Sequence, residues 1–138
     1  MKKKILVIED NPSSLRLVQY TFEHKGYEVL TAPNGLEGLR KARSEKPDLV
    51  ILDVMLPGID GFEVSHRLRA EAQTAHLPLL MLSAKAREED KDIGIKAGAD
   101  EYLAKPASPS EIVNRAEKLL AREPDSRRPT HAVRSRGA

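Results

Sequence analysis

Apolar and polar residues alternate in blocks along most of the chain. Five short apolar segments, at positions 5–8, 27–32, 49–52, 79–82 and 102–104, are separated by longer stretches with apolar residues at helical spacing. Three of the segments are continuous apolar runs, which is typical of strands buried on both faces of a parallel sheet. The pattern therefore predicts a strand–helix unit repeated five times, in an α/β fold with helices on both sides of the sheet.

Single residues predict where several helices begin and end. Asn11 followed by Pro12 is a typical helix start, because Asn caps the first turn and Pro fits the first helical position. Gly26 is expected to end that helix. Ser108 or Ser110 is expected to cap the last helix, whose apolar residues recur at helical spacing.

Two further polar segments are expected to have structural roles only. The acidic run at positions 88–92 is interpreted as the solvated first turn of the fourth helix, where the helix dipole favours negative charge. Asp60 and Gly61 are expected to begin the third helix without taking part in chemistry.

Residues 122–138 differ in composition from the rest of the chain. They contain five Arg against Glu123 and Asp125, so they carry a formal charge of +3 and leave −1 of the net +2 to residues 1–121. They are otherwise rich in Pro and Ser and poor in aliphatic side chains, which is typical of disordered segments. We therefore expect one folded domain over residues 1–121 and a disordered basic tail over residues 122–138.

Composition excludes several classes of protein. The chain has no Cys, which excludes disulfides, thiolate metal sites and a Cys nucleophile. No apolar run approaches the ~18 residues of a membrane helix. The basic start at Lys2–Lys4 is followed by only four apolar residues, too few for a signal peptide. We therefore expect a cytoplasmic protein that does not contact a membrane.

The residues that follow the predicted strands carry the candidate chemistry. Glu9 and Asp10 follow the first strand, Asp53 the third, Ser83 the fourth and Lys105 the fifth. In open α/β sheets, ligands bind outside the carboxyl ends of the strands. If the first and third strands are neighbours, three carboxylates meet in one crevice, with a hydroxyl and an ammonium on the other side.

Such a cluster needs a cation. Two carboxylates ~5 Å apart repel by roughly 3 kcal/mol at an effective dielectric of about 20. Mg²⁺ relieves this repulsion, since it prefers hard oxygen ligands and commonly binds one or two carboxylates together with a phosphate. Carboxylates beside Mg²⁺, with Lys and Ser opposite, provide the groups for phosphoryl transfer to an Asp nucleophile.

The chain resembles a known family, the receiver domain of bacterial two-component response regulators, in its stand-alone, chemotaxis-regulator-like form. The resemblance covers about residues 3–121. It rests on four motifs in the correct order: IEDN at 8–11, LDVMLPGIDG at 52–61, LSA at 82–84 and YLAKP at 102–106. It implies a flavodoxin-like, doubly wound fold with five helices and a five-stranded parallel sheet in the order 2-1-3-4-5.

The resemblance also implies roles for individual residues. Asp53 is expected to be the phosphoacceptor, and Lys105 to pair with the phosphoryl group beside a cis Lys-Pro bond. Glu9, Asp10, Asp53 and the backbone carbonyl of Met55 are expected to bind Mg²⁺. Ser83 is expected to bond a phosphoryl oxygen, and Tyr102 to turn inward when Ser83 moves.

The implied function is a switch that a histidine kinase or a phosphotransfer protein phosphorylates. Phosphorylation is expected to remodel the face formed by the fourth helix, the fifth strand and the fifth helix, and so to control binding of a downstream protein. Both a monomer and a phosphorylation-dependent homodimer through that face remain open. The chain is not expected to be an enzyme, beyond catalysing its own phosphorylation and dephosphorylation.

Two other functions are alternatives to this switch. A phosphatase or phosphotransferase with an Asp nucleophile usually carries two Asp separated by one residue, and the sequence Asp53-Val54-Met55 lacks the second. Turnover of an external substrate would distinguish that enzyme from a switch. Nucleic acid is not expected as a partner; weak, salt-sensitive binding by the basic tail is the remaining alternative.

Overall fold

Residues 2–122 are the part of the chain that the structure, a computed structural model, describes. They form strands and helices in strict alternation. The strands are β1 (Lys4–Ile8), β2 (Glu28–Ala32), β3 (Leu49–Leu52), β4 (Leu79–Ser83) and β5 (Glu101–Ala104). The helices are α1 (Pro12–His24), α2 (Gly35–Glu45), α3 (Gly61–Ala70), α4 (Glu88–Lys96) and α5 (Pro109–Leu120).

The strands form one parallel sheet in the order β2-β1-β3-β4-β5. This confirms the expected fold class, a doubly wound α/β sheet in the order 2-1-3-4-5. β1 and β3 are direct neighbours with Ile8 opposite Leu52. The Asp53 amide donates to the Ile8 carbonyl at 3.0 Å. The residues that follow β1 and β3 therefore leave the sheet side by side.

Two hydrophobic cores cover the two faces of the sheet. Alternate residues of β1 point to opposite sides, with Leu6 and Ile8 in one core and Ile5 and Val7 in the other. The first core packs under α2 and α3, and the second under α1 and α5. Burying a side chain of this size stabilises the fold by about 1.5–3 kcal/mol relative to leaving it exposed. These cores hold the strand ends in fixed register, which positions the site.

The predicted helix boundaries at Asn11 and Gly26 are confirmed. Asn11 Oδ1 accepts from the Ser14 amide at 2.9 Å at the start of α1. Gly26, just beyond the helix, has a φ of 95°, a left-handed conformation that favours glycine. Of the two serines considered for α5, Ser108 is the cap, since its Oγ accepts from the Glu111 amide at 3.1 Å.

The domain boundary stays a prediction. The disordered tail expected at residues 122–138 lies outside the described residues, except for Arg122. The Arg122 guanidinium lies 3.5 Å from the Asp100 carboxylate. None of the helices within residues 2–122 combines the length and the apolar character that crossing a bilayer requires.

Candidate functional site

A cleft lies at the carboxyl edge of the sheet, where β1, β3 and β5 end. Its volume is about 630 Å³, and its walls include Glu9, Asp10, Asp53, Met55 and Lys105. The structure therefore brings most of the predicted site residues together around one space. This edge is where ligands bind in open α/β sheets.

Asp53 follows β3 directly and is almost fully buried, with 7% of its surface exposed. Its Oδ1 accepts a hydrogen bond from the Met55 amide at 3.0 Å. Its Oδ2 accepts from the Lys105 ammonium at 3.1 Å. Since both oxygens have a donor, the cost of burying this charge is reduced. The side of Asp53 that remains accessible faces the cleft.

Lys105 follows β5 and carries the positive charge of the cleft. Its amide donates to the Ser83 carbonyl at 3.0 Å, and its peptide bond to Pro106 is cis. Its Nζ donates to Glu9 Oε1 at 2.5 Å and to Asp53 Oδ2 at 3.1 Å. Burial by itself lowers the pKa of the Lys105 ammonium. The hydrogen bonds to the two carboxylates outweigh burial, so the pKa is raised.

The acids of the cleft, with the Met55 carbonyl, are the donors predicted for Mg²⁺. They are hard oxygen donors that line one space, so this set fits a magnesium ion. In the present arrangement, however, the Lys105 ammonium bonds both Glu9 and Asp53. Within residues 2–122, no group of three or more Asp, Glu, His or Cys side chains is arranged to hold a metal. The individual ligands therefore stay a prediction.

Gly61, the first residue of α3, packs directly against the main chain of Asp53. A Cβ atom on Gly61 would lie 2.3 Å from the Asp53 carbonyl oxygen and 2.6 Å from the Val54 Cα. Asp60 caps the helix as predicted, since its Oδ1 accepts from the Glu63 amide at 2.9 Å. The interpretation of Gly61 as a helix start was incomplete, because any side chain there would displace the loop that carries Asp53.

Ser83 and Tyr102 lie beside the cleft and share one loop residue. Ser83 is fully buried at the end of β4, and its Oγ accepts from the Lys85 amide at 3.1 Å. The Tyr102 hydroxyl donates to the Lys85 carbonyl, and its ring packs against Gly94 of α4. Burial raises the pKa of Tyr102, and the negative charges of Asp90 and Asp53 act in the same direction. Both predicted switch residues are thus bonded to the main chain of Lys85.

The expectation that the acidic run at 88–92 is solvated is wrong for Asp90. This residue is buried, with 2% of its surface exposed, whereas the other acids of the run are exposed. Its Oδ2 accepts from the Arg87 amide at 3.0 Å. The one available signal was its spacing, since an acid three residues after a helix cap often bonds back to the cap amide.

A second cavity, of about 680 Å³, lies between α1 and α5. Its walls include Tyr20, His24, Val113 and Glu117. The carboxylate of Glu117 accepts from the Tyr27 hydroxyl at 2.8 Å, which connects α5 to the start of β2. The two cavities are similar in size, but the converging carboxylates and ammonium belong to the cleft.

A comparison with models of protein families matches residues 5–117 to the response regulator receiver domain. The chain belongs to this family. It is a receiver domain of two-component response regulators, for which phosphorylation and Mg²⁺ binding are typical. Receiver domains interact with histidine kinases or phosphotransfer proteins.

Two relatives of this receiver domain differ in length. The alkaline phosphatase synthesis transcriptional regulatory protein PhoP of Bacillus subtilis is 51% identical over 122 residues, which are 88% of this chain and 50% of PhoP. Protein PilH of Pseudomonas aeruginosa is 35% identical over 118 residues, which are 86% of this chain and 98% of PilH. This chain spans about half the length of PhoP and of the other transcriptional regulators it matches.

A solved receiver domain of a sensor histidine kinase from Pseudomonas aeruginosa shares the architecture. Its TM-score is 0.82 at 27% identity, and the match covers 88% of this chain and 100% of that domain. That structure has a magnesium ion coordinated in its active site cleft.

Proposed function

We propose that this receiver domain is a signalling switch, in which a histidine kinase or a phosphotransfer protein phosphorylates Asp53 in the presence of Mg²⁺. The observation that supports this most directly is the placement of Asp53. It is a buried carboxylate that lines an acidic cleft, with the Lys105 ammonium 3.1 Å from its Oδ2. The cleft gives a phosphoryl donor access to a carboxylate that protein otherwise encloses.

In the proposed reaction, an oxygen of Asp53 attacks the phosphorus of a phosphohistidine. The new O–P bond forms as the P–N bond breaks, and the leaving imidazole keeps the electron pair and takes a proton from solvent. Lys105 offsets the negative charge on the phosphoryl oxygens. The carboxylates of the cleft and the Met55 carbonyl would hold Mg²⁺, which would supply further positive charge beside the phosphoryl oxygens. The chain modifies itself and turns over no external substrate.

Phosphorylation then acts on the loop that follows β4. The phosphoryl group adds a charge of about −1.5 to −2 and three acceptor oxygens. Ser83 donates its hydroxyl proton to one of them, and its movement weakens the bond between its Oγ and the Lys85 amide. Tyr102, whose hydroxyl bonds the Lys85 carbonyl, follows this movement. A complete switch changes the ratio of the switched to the unswitched conformation from 1:99 to 99:1. This requires phosphorylation to stabilise the switched conformation over the other by roughly 5.5 kcal/mol.

The surface formed by α4, β5 and α5 is the proposed output of the switch. Ile93 and Ile95 on α4 are 46% and 50% exposed, which provides apolar contact area for a downstream protein. The same surface would carry a homodimer that forms on phosphorylation. Light scattering before and after phosphorylation distinguishes this dimer from a monomer. We propose a cytoplasmic location, and no nucleic acid partner for residues 2–122.

Intact-mass measurement after treatment with acetyl phosphate and Mg²⁺ tests the proposal. The wild-type chain is expected to gain the mass of one phosphoryl group, and Asp53→Asn to gain none while its circular dichroism is unchanged. Asp60→Asn is the matched control, because Asp60 is an exposed acid that caps α3 outside the cleft. That variant is expected to label like the wild type. Labelling of Asp53→Asn, or continuous hydrolysis of acetyl phosphate without labelling of the chain, would contradict the proposal.

A further inference from the structure

Asp90 is a buried acid on α4 that the proposed phosphorylation chemistry does not use. Its side chain is 3% exposed, whereas those of Glu88 and Glu89 are 90% and 64% exposed. A buried charge is costly unless it is hydrogen-bonded and paired. The partners of Asp90 therefore indicate what its carboxylate holds in place.

The partners described for Asp90 belong to the β4–α4 loop, residues 84–87. Its Oδ2 accepts from the Arg87 amide at 3.0 Å and lies 3.5 Å from Arg87 Nε. Its Oδ1 lies 3.8 Å from Lys85 Nζ. Arg87 occupies the N-cap position of α4, but its side chain makes no capping bond. The Asp90 carboxylate is therefore the group that joins this loop to the first turn of the helix.

The same loop connects to both switch residues through the main chain of Lys85. The Lys85 amide donates to Ser83 Oγ at 3.1 Å, and the Lys85 carbonyl accepts from the Tyr102 hydroxyl. The Tyr102 ring packs against Gly94, where a Cβ would lie 2.6 Å from a ring carbon. Gly94 is four residues after Asp90 and so lies on the same face of α4. One face of the helix thus holds the loop at Asp90 and receives the ring at Gly94.

We propose that Asp90 is a positioning residue of the switch. Its carboxylate keeps the Lys85 carbonyl where the Tyr102 hydroxyl reaches it, and the Tyr102 ring is thereby kept on Gly94. Loss of the carboxylate releases the loop and lets the ring leave Gly94. This inference rests on the proposed function, because it assigns regulation of the same site.

Fluorine NMR of the full chain labelled with 3-fluorotyrosine tests this role. The chain has three tyrosines, so three resonances are expected, and Tyr102→Phe identifies the one from Tyr102. Asp90→Ala removes the carboxylate, whereas Asp90→Asn keeps an acceptor for the Arg87 amide and removes only the charge. In the unphosphorylated protein, both variants are expected to shift the Tyr102 resonance towards that of the exposed Tyr20, and Asp90→Ala to shift it further.

The matched control is Asp92→Asn, because Asp92 is an exposed acid on the same helix. This variant is expected to leave all three resonances in place. A purely structural role for Asp90 would lower the thermal midpoint but leave the Tyr102 resonance of the folded protein unchanged, and that result would overturn the proposal. If Asp90→Ala does not fold, an unchanged Tyr102 resonance in Asp90→Asn overturns it equally.

Phosphorylation of Asp53 is measured on the same samples by intact mass, which separates the two proposals. A wild-type chain that does not label contradicts the proposed function, whatever the NMR spectrum shows. If the Asp90 variants gain a phosphoryl group normally and their Tyr102 resonance is unchanged, only the positioning role is contradicted.

Discussion

Buried carboxylates lie in the cleft and beside the β4–α4 loop, and the two regions offset the negative charge in different ways. In the cleft, the ammonium of Lys105 bonds directly to Glu9 and Asp53, at 2.5 and 3.1 Å. In the loop, Asp90 accepts from a main-chain amide at 3.0 Å. The cationic side chains near it are 3.5 and 3.8 Å away and are substantially exposed.

This difference indicates a division of roles between the two regions. The cleft depends on charge balance, so an added phosphoryl group competes with Glu9 and Asp53 for the Lys105 ammonium. The loop depends on main-chain hydrogen bonds, which fix geometry and respond little to ionic strength. The cleft is therefore suited to detect a new charge, and the loop to convert a movement of Ser83 into a movement of Tyr102.

The largest expected effect comes from removing the cation of the cleft. Lys105→Met leaves two buried carboxylates without their shared partner, so it is expected to lower the free energy of unfolding by about 3–5 kcal/mol. Urea denaturation measures this loss. Lys91→Met is the control, because Lys91 lies 3.8 Å from the exposed Glu88, and an exposed pair contributes at most about 1 kcal/mol. Equal losses in the two variants would remove the contrast between the cleft and an ordinary surface pair.

The pH dependence of the same pair of proteins sharpens this result. The pKa of Lys105 is raised in the folded state. The contribution of the Lys105 ammonium to the free energy of unfolding is therefore fully present below the ordinary lysine pKa of about 10.4. It is lost as the pH rises through the folded-state pKa. The difference in unfolding free energy between wild type and Lys105→Met is therefore expected to shrink above about pH 10.4. A constant difference through that range would contradict the assignment of the stabilisation to this ammonium.

Gly61→Ala is expected to have an intermediate effect, because it acts on the main chain of the cleft. Its Cβ would lie 2.3 Å from the Asp53 carbonyl oxygen. The resulting shift is expected to cost about 1–3 kcal/mol and to slow labelling of Asp53 by acetyl phosphate. Gly58→Ala is the comparison, since nothing lies within 4 Å of its Cβ and only its φ of +76° is strained. That variant is expected to lose about 1 kcal/mol and to label at the wild-type rate.

Tyr102→Phe is expected to have the smallest effect on stability and to act on the loop alone. It keeps an aromatic ring at this position but removes the hydroxyl that donates to the Lys85 carbonyl. A loss of about 0.5–1.5 kcal/mol is expected, with faster hydrogen exchange at the Lys85 amide and unchanged labelling of Asp53. Tyr20→Phe, at an exposed tyrosine, is expected to change none of these. Impaired labelling in Tyr102→Phe would show that the two regions are not separable.

The strands and the residues at their ends could be predicted from the sequence because their pattern is local. Continuous apolar runs predicted β1, β3 and β4, and acids directly after two of them predicted that Glu9 and Asp53 share one edge. The strand order itself came from the resemblance, since hydrophobic periodicity does not distinguish which parallel strands are neighbours.

The features that the sequence did not predict depend on tertiary contacts. An acidic first turn is expected to be solvated, and the burial of Asp90 follows only from how α4 packs against the loop before it. Gly61 has the same sequence pattern as an ordinary helix start, and its contact with Asp53 depends on the path of the β3–α3 loop. The bonds from Lys105 to both Glu9 and Asp53 likewise depend on side-chain positions that spacing does not determine.

The central claim is that Asp53 is the residue that receives the phosphoryl group, and chemical trapping tests it most directly. The full chain is treated with acetyl phosphate and Mg²⁺, reduced with borohydride, which converts an aspartyl phosphate to homoserine, and mapped by peptide mass spectrometry. Homoserine is expected at position 53, with Asp10 and Asp60 unchanged. Homoserine at another aspartate, or at none in a chain that has gained a phosphoryl group, would contradict the claim.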